Sequence, residues 1–450
     1  MNVLRNFFFI ISIFLILCTT GCRDNQKIEA ALDTYVEAYA EQGLFSGSVL
    51  VAKDGKILLS KGYGMANYEL DVPNTPQTKF RLGSITKQFT AMAIMQLQEQ
   101  GLLSINDKVS KYIPDYPNGD KITIHYLLTH TSGIPNVTRF PEYKKKKLKP
   151  HTLEQLIERF KNKPLDFEPG EKFSYSNSGY ILLSYIIEKA SGKKYETILK
   201  KNIFDLLNMK NSGYDNYRLI IKGRASGYGH IDDELVNATY IDMSFPAGAG
   251  ALYSTVENLY LWDQALYTEK LVSRKSLDEI FTPFKGNYGY GWNICREFNH
   301  EFMGHGGGID GFTTDISRYP DANVCIIVLS NFENSRVLQL SNGLAAIVFG
   351  EKCELPKKRI AVSIDPEIYN QYVGKYKLKE DFIITVTKEN NRLITQATGQ
   401  AKFEIYPESE TEFFSKIIDG QISFAKDKSG KVSKLILHQA GLDQVAERIE

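Results

Sequence analysis

The sequence predicts an α/β protein, one sheet with helices on its faces, followed by a small all-β barrel. Three observations carry this. Strand patterns sit at both ends of residues 28–350 around a helical middle, so the sheet is completed only after the helical region is made. Beyond residues 351–366, short alternating segments follow one another with turns and no helix between them. The length of 450 residues suits two or three domains.

Composition narrows the class. Hydrophobic residues make up 43% and charged residues 24%, which excludes a long disordered, collagen-like or coiled-coil chain. Lys+Arg number 54 and Asp+Glu 53, a net charge of +1. A nucleic-acid partner needs a basic surface, so none is expected.

The N-terminus reads as an export signal. Arg5 supplies a positive start and Phe7 to Leu17 an apolar core. That run falls short of the ~20 residues a membrane span takes. Thr19-Thr20-Gly21-Cys22 looks like a bacterial lipoprotein cleavage site, although Thr19 stands where leucine is usual. Residues 1–21 would be removed, and a lipid on Cys22 would hold the protein to a membrane of the cell envelope. Ordinary signal cleavage is the other reading. Among the remaining cysteines, Cys295, Cys325 and Cys353, there is no CxxC or His/Cys cluster, so no metal is implied. Cys325 falls in an apolar strand pattern, where a small core residue is expected.

The elements then follow in order. Gly47 to Ala52 and Lys56 to Tyr63 flank Lys53-Asp54-Gly55 and read as a hairpin. A helix runs from Ser84 to Gln100 and stops at Gly101. Leu153 to Lys161, Gly179 to Lys189 and Ser254 to Tyr267 are further helices. Strands return at Glu301 to Gly304, Thr313 to Tyr319 and Val324 to Leu329, and a last helix covers Ser335 to Val348 before Gly350. Glu351 to Pro366, with Lys357 and Lys358, reads as a linker. Eight strand-like segments follow between Tyr372 and Ile449, which defines a second domain at 367–450. The run Lys144 to Lys147 with Lys149, bounded by prolines, reads as a solvated loop. Contact with lipid headgroups is the alternative if Cys22 is anchored.

Ser84-Ile85-Thr86-Lys87 carries the chemistry. Ser-x-x-Lys also occurs at Ser191–Lys194 and Ser423–Lys426. Only Ser84 opens a helix, where residues three apart share a face and the amine reaches the hydroxyl. Ser191 sits at a helix end, and Ser423 sits in a strand, where i and i+3 point to opposite faces. Lys87 lies in the first helical turn, where the dipole disfavours a cation, and its face neighbours Ala91, Ile94 and Met95 are apolar. Both effects lower its pKa and favour a neutral amine able to take the Ser84 proton. Free N–H groups at the helix start can receive an oxyanion. The competing reading makes Ser84 an N-cap and lets Lys87 snorkel to solvent. Tyr175-Ser176-Asn177 precedes another helix. His305-Gly306-Gly307-Gly308 follows a short strand, and its glycines would let a substrate backbone lie against the strand edge.

Ser-x-x-Lys, Tyr-x-Asn and His-x-Gly, in this order, resemble the serine β-lactamase and penicillin-binding protein-like superfamily, most of all its class C-like branch of esterases, D-amino-acid peptidases and β-lactamase-related proteins. Leu127 to Pro135, Pro246 to Leu252, Tyr288 to Trp292 and Gly311-Phe312 also look like segments of that family. The resemblance covers about Leu32 to Gly350. It implies a mainly antiparallel sheet flanked by helices, with a helical subdomain. The tail resembles an appended lipocalin-like barrel, matching at Tyr372 to Tyr376.

The resemblance implies site roles too. Ser84 would be acylated, Lys87 would help deprotonate it, and Tyr175 would serve as general base or acid. Asn177 would bond the acyl amide, the N–H groups of Ser84 and Gly308 would form the oxyanion hole, and His305 and Gly307 would line the substrate. No cofactor is implied, and the partner is a small-molecule or peptide substrate. Many relatives carry Lys-Thr-Gly where this chain has His305-Gly306-Gly307. Loss of the cation and hydroxyl fits an esterase or peptidase better than an efficient β-lactamase. The expected function is a serine hydrolase acting on an amide or ester. The alternative is a non-catalytic or single-turnover protein that binds penicillin or cell-wall fragments.

Gly306-x-Gly308-x-x-Gly311 fits a dinucleotide fingerprint, but the residues after it read as a strand where a helix is required. His125, His130 and His300 form no HExxH and read as structural or surface residues. No Gly-x-Ser-x-Gly elbow occurs.

Overall fold

The computed structural model describes residues 26–450, apart from 232–233, 334, 357–358, 381, 401, 416–419 and 440–441. The export segment, Cys22, Lys357 and Lys358 lie outside the described residues. The chain divides into two compact units, Met1–Glu354 and Leu355–Glu450.

The first unit opens with helix α1 (residues 26–41). Strands β1 (Gly47–Lys53) and β2 (Lys56–Tyr63) form the expected hairpin. Asp54 and Gly55 turn it with φ of 51° and 74°, the pair of positive values a tight two-residue turn demands. Late in the chain come β3 (Asn293–Glu297), β4 (His300–Ile309), β5 (Phe312–Tyr319) and β6 (Val324–Ser330). They join the hairpin in the order β3-β4-β5-β6-β1-β2, antiparallel throughout.

Helices cover both faces, which explains why β1 and β6 read as nearly unbroken apolar runs. Val49, Val51, Ile326 and Val328 pack with Leu32 and Val36 of α1 and with Leu340 and Leu344 of the last helix. Leu50, Ala52, Ile327 and Leu329 face the other way, into the larger core that holds Phe89 and Trp262. Cys325 is buried in that core.

The remaining main helices are α2 (Thr86–Glu99), α3 (Asn177–Ser191), α4 (Val256–Ala265) and α5 (Val337–Phe349). Two expectations change. The helix from Leu153 ends at Ile157, short of Lys161. Its bonds tighten there from i−4 to i−3, at Arg159 and Phe160, on the approach to Pro164. The strand from Glu301 runs on through Ile309, so the three glycines lie inside β4. β5 stays paired with β4 up to Ile309, whereas β3 stops at Asn293 opposite Gly304. Gly306 to Ile309 therefore border an unpaired edge.

The second unit is a closed antiparallel barrel of β7 (Gly374–Lys379), β8 (Phe382–Glu389), β9 (Arg392–Ala397), β10 (Phe403–Pro407), β11 (Glu412–Ser415), β12 (Gln421–Lys426), β13 (Val432–Gln439) and β14 (Leu442–Arg448). A short 3-10 helix, Pro366–Gln371, leads in. Its interior is filled with side chains. Tyr372 is fully buried, stacks on Phe424 at 4.2 Å and donates its hydroxyl to the Glu410 carbonyl at 2.6 Å. Ser423, in the third Ser-x-x-Lys sequence, lies in β12, where its hydroxyl donates to Glu412 at 2.6 Å.

Tyr372→Ala removes the ring that Phe413 and Phe424 pack against. It should cost the barrel about 3–5 kcal/mol. In a calorimetric scan the transition of the second unit should move down while that of the first stays in place.

Candidate active site

The nucleophile turn is built by backbone-to-backbone packing. The short strand Phe80–Arg81 pairs with Tyr253 and Ser254. The chain then bends at Gly83, φ 53°, into a 3-10 turn, Gly83–Ile85, that feeds α2. A β-carbon at Gly83 would sit 2.9 Å from the Gly308 nitrogen, so glycine is required twice over, by conformation and by space. A β-carbon at Gly307 would sit 2.1 Å from the Leu82 carbonyl oxygen. Thr314 donates its hydroxyl to that same oxygen at 2.8 Å. Strand β4 is thereby fixed against the turn that presents Ser84.

The orientation of Gly308 follows from the hairpin. The two-residue turn Asp310-Gly311 makes Ile309–Phe312 the hydrogen-bonded closing pair. Along β4 the bonds alternate, so Gly307 bonds to β5 and the Gly308 N–H points to the unpaired edge. Gly308 and Ser84 both line a cavity of about 460 Å³, its open mouth included.

Lys87 is fully buried within α2, whose residues from Thr86 to Leu97 are all buried. Its Nζ lies 3.0 Å from Ser84 Oγ, 2.9 Å from Asn177 Oδ1 and 2.8 Å from the Ala249 carbonyl oxygen. It also sits 4.8 Å from the ring centre of Tyr175 and 5.5 Å from that of Tyr180. Burial holds its pKa well below the ordinary lysine value. A neutral amine has two hydrogens and one lone pair. Asn177 Oδ1 and the Ala249 carbonyl can only accept, so the lone pair is left facing the Ser84 hydroxyl, the one partner with a proton to give.

Tyr175 is half-buried. Burial raises its phenol, and a hydrogen bond with Ser84 opposes that rise. The His130 ring packs against it with centroids 4.2 Å apart. His130 is itself buried with φ 55°, and its Nδ1 accepts from the Ser176 N–H at 3.2 Å, a structural role. Asn136 accepts from both the backbone N–H and the side-chain amide of Asn177, at 3.2 and 3.4 Å. This orients the amide so that its oxygen faces Lys87.

His305 and Gly307 are both engaged by the protein itself. His305 is 5% exposed, and both its ring nitrogens are engaged. Nδ1–H donates to the Gly306 carbonyl at 2.6 Å and Nε2 accepts from the Tyr288 hydroxyl at 2.9 Å. Burial, with nearby Lys87 adding to it, pushes its pKa down to about 3. The ring is neutral and braces the strand edge. Gly307 packs on Leu82, and the glycine that lines the cavity is Gly308.

Three contributors had no assigned role in the sequence reading: Asn136, Tyr288 and the Ala249 carbonyl. Tyr288 and Ala249 lie within segments quoted for their resemblance, but nothing in the sequence reports a hydrogen-bond partner. Asn136 opens a loop whose path is not derivable from sequence. Among the described residues no group of three or more His, Cys, Asp and Glu could hold a metal ion.

The buried bases set a pH dependence. His130 and His305 resist protonation when folded, so the unfolded chain binds more protons below its own histidine pKa of ~6.5 and stability falls as pH falls. Asp315, raised to about 6 by burial, works the other way between its unfolded value and 6. Lys87, neutral in the fold and protonated in the unfolded chain, works in the same direction as the histidines, and between pH 7.5 and 6 these three outweigh Asp315. Urea unfolding should show stability falling across that window, by up to ~1.4 kcal/mol per pH unit per histidine below ~6.5, and His305→Gln should flatten the slope.

Comparison with known proteins agrees with this geometry. Residues 28–347 match the Beta-lactamase family, and residues 358–449 match a domain of unknown function (DUF3471). The chain is 33% identical to penicillin-binding protein 4* of Bacillus subtilis over 445 residues, covering 93% of this chain and 98% of that protein. The octameric penicillin-binding protein homologue from Pyrococcus abyssi superposes with a TM-score of 0.67 at 28% identity, covering 93% of this chain and 99% of that one. The D-amino acid amidase from Ochrobactrum anthropi SV3, solved with L-phenylalanine amide, gives 0.61 at 25% identity over 73% of this chain and 97% of that one. The chain belongs to the β-lactamase family, within the superfamily of serine β-lactamases and penicillin-binding proteins, and carries a β-barrel domain at its C-terminus.

Proposed function

We propose that the protein is a serine hydrolase that cleaves an amide or ester, of the D-amino-acid peptide, ester or β-lactam kind, through an acyl-enzyme on Ser84. The observation that carries this is the Lys87 amine at 3.0 Å from Ser84 Oγ, buried and with its other partners restricted to acceptors.

Ser84 Oγ attacks the substrate carbonyl as its proton passes to Lys87. The carbonyl oxygen takes the negative charge between the N–H groups of Ser84 and Gly308. Tyr175, whose ring lies beside Lys87, hands a proton to the departing amine or alcohol, and the carbon–nitrogen or carbon–oxygen bond breaks. Water then attacks the ester on Ser84, giving its proton to the Tyr175 phenolate while the Lys87 ammonium returns a proton to Ser84 Oγ, so the acid leaves and both groups are reset. Asn177, with its oxygen on Lys87 and its amide steadied by Asn136, bonds the acyl group. His305 keeps strand β4 in place and touches no substrate. The amidase relative, a hydrolase of amino-acid amides by its name, supports amide chemistry.

Intact-mass measurements with a fluorophosphonate, a fluorescent penicillin and short-chain nitrophenyl esters test this. An adduct on Ser84 that turns over is expected. Ser84→Ala should remove it, with turnover down about 10³-fold or more. Lys87→Met should slow acylation about 10²–10⁴-fold. Acylation in the native enzyme should be complete in its pH response by neutrality, with no further rise toward pH 10 of the kind an exposed lysine would give. A penicillin adduct that never turns over would favour the binding-protein reading, and no adduct in folded protein would overturn the enzyme reading.

The same proposal places the enzyme in the bacterial envelope, held by a lipid on Cys22. The support is the export-like sequence before that residue. Radiolabelled palmitate should enter the native protein and not Cys22→Ser, which should be released from the membrane fraction.

A further inference from the structure

The cavity beside Ser84 has one polar end and apolar walls. Ser84, Asn177 and Gly308 form the polar end. Val137, Ile181, Ile241, Phe245, Pro246 and Ile309 make the walls mainly apolar, and Thr138 and Tyr143 are the uncharged polar side chains among them. No Asp, Glu, Lys, Arg or His lines it among the described residues.

Three of the wall segments are tied together behind the cavity. Val137 lies in the loop leading to Lys147, Ile241 lies just after Thr239, and Ile309 immediately precedes Asp310. Lys147 pairs with Asp310, and Thr239 donates its hydroxyl to the same Asp310 oxygen at 2.6 Å. Lys147 Nζ also lies 3.4 Å from Thr239 Oγ1, and its carbonyl accepts from the Asp242 N–H at 2.8 Å. Side chains of the pair are only 11% and 9% exposed. Lys144, Lys145, Lys146 and Lys149 are exposed, so Lys147 is the exception within the expected solvated run. Its charge is committed to Asp310 and is not available to a substrate anion.

We propose that this cavity is a subsite for an uncharged, apolar substituent, branched-aliphatic or aromatic, next to the reacting carbonyl, and that the Lys147–Asp310–Thr239 clasp sets its charge selectivity and width. This rests on the reading of Ser84 as the acylated residue. A carboxylate entering the subsite loses its water and meets no counterion, whereas an isopropyl group of the same size loses nothing. Selection against the charged analogue therefore requires both apolar walls and a clasp that keeps the lysine paired. Freeing Lys147 leaves an ammonium behind the wall, and an acidic substituent then has a partner to seek.

The test compares p-nitrophenyl 5-methylhexanoate with p-nitrophenyl glutarate, which replaces the terminal isopropyl by a carboxylate. Fluorophosphonate labelling of Ser84 is read first. Absence of labelling in folded native protein sinks the acyl-enzyme reading itself. With labelling present, the native enzyme should prefer the 5-methylhexanoate by on the order of a hundredfold in kcat/KM. A ratio near one, or a preference for glutarate, overturns the subsite. Asp310→Asn should raise the relative kcat/KM for glutarate at least tenfold, a change in specificity that mere loosening of the fold would not give. An unchanged ratio in labelled Asp310→Asn overturns the role of the clasp. If that variant fails to label, Thr239→Val takes its place and should shift the ratio in the same direction. No shift there overturns the clasp likewise.

Discussion

Everything at this site depends on keeping one amine dry and still hydrogen-bonded. An isolated ammonium in an apolar interior is costly enough that the group gives up its proton instead. Lys87 meets that condition because α2 is surrounded on all sides, by the sheet below and the helical region above. Its three partners belong to three stretches of chain: the turn before α2, the start of α3, and the Ala247–Ala249 turn. The base is assembled only when the sheet and the helical region have come together. Folding and assembly of the Ser84–Lys87 contact are one event here.

The second constraint is backbone proximity. Gly83 and Gly307 have no room for a side chain, and each is hemmed in by backbone of the other's element. This contact sets the Gly308 N–H beside Ser84 without any side chain between them. His305 follows from it. At position 305 this chain has a ring turned inward, hydrogen-bonded to Gly306 and Tyr288. The strand edge is held by a neutral brace.

The architecture and the Ser84–Lys87 contact were legible in the sequence for physical reasons. The Asp54-Gly55 turn, the alternating barrel strands and the helical spacing of Ser84 and Lys87 are local patterns, and local patterns are what a sequence displays. The true extent of β4 was hidden because glycines read as breaks, and only pairing with β5 reveals them as strand. Asn136 and the Ala249 carbonyl were hidden because each acts through a contact far away along the chain: Asn136 is 41 positions from Asn177, and Ala249 is 162 from Lys87. His305 was visible as a residue, but its inward orientation depends on Tyr288, a packing partner no motif names. Lys147 was read with its exposed neighbours because composition cannot distinguish one lysine of a run that finds a carboxylate.

The neutral brace also explains how the site tolerates the charge it must hold briefly. Lys87, His130 and His305 are close enough that each lysine charge lowers the affinity of both histidines for a proton. A second permanent cation in that space would oppose the transfer of the serine proton to Lys87. What surrounds the amine instead is two aromatic faces, Tyr175 and Tyr180, and two acceptor oxygens. Ring faces and carbonyls stabilise a cation without carrying a net charge of their own. They favour an ammonium whenever the amine takes up a proton, while burial favours the amine at rest. A buried, neutral histidine at position 305 thus places no second cation beside Lys87, and no repulsion from that ring opposes a proton on the amine.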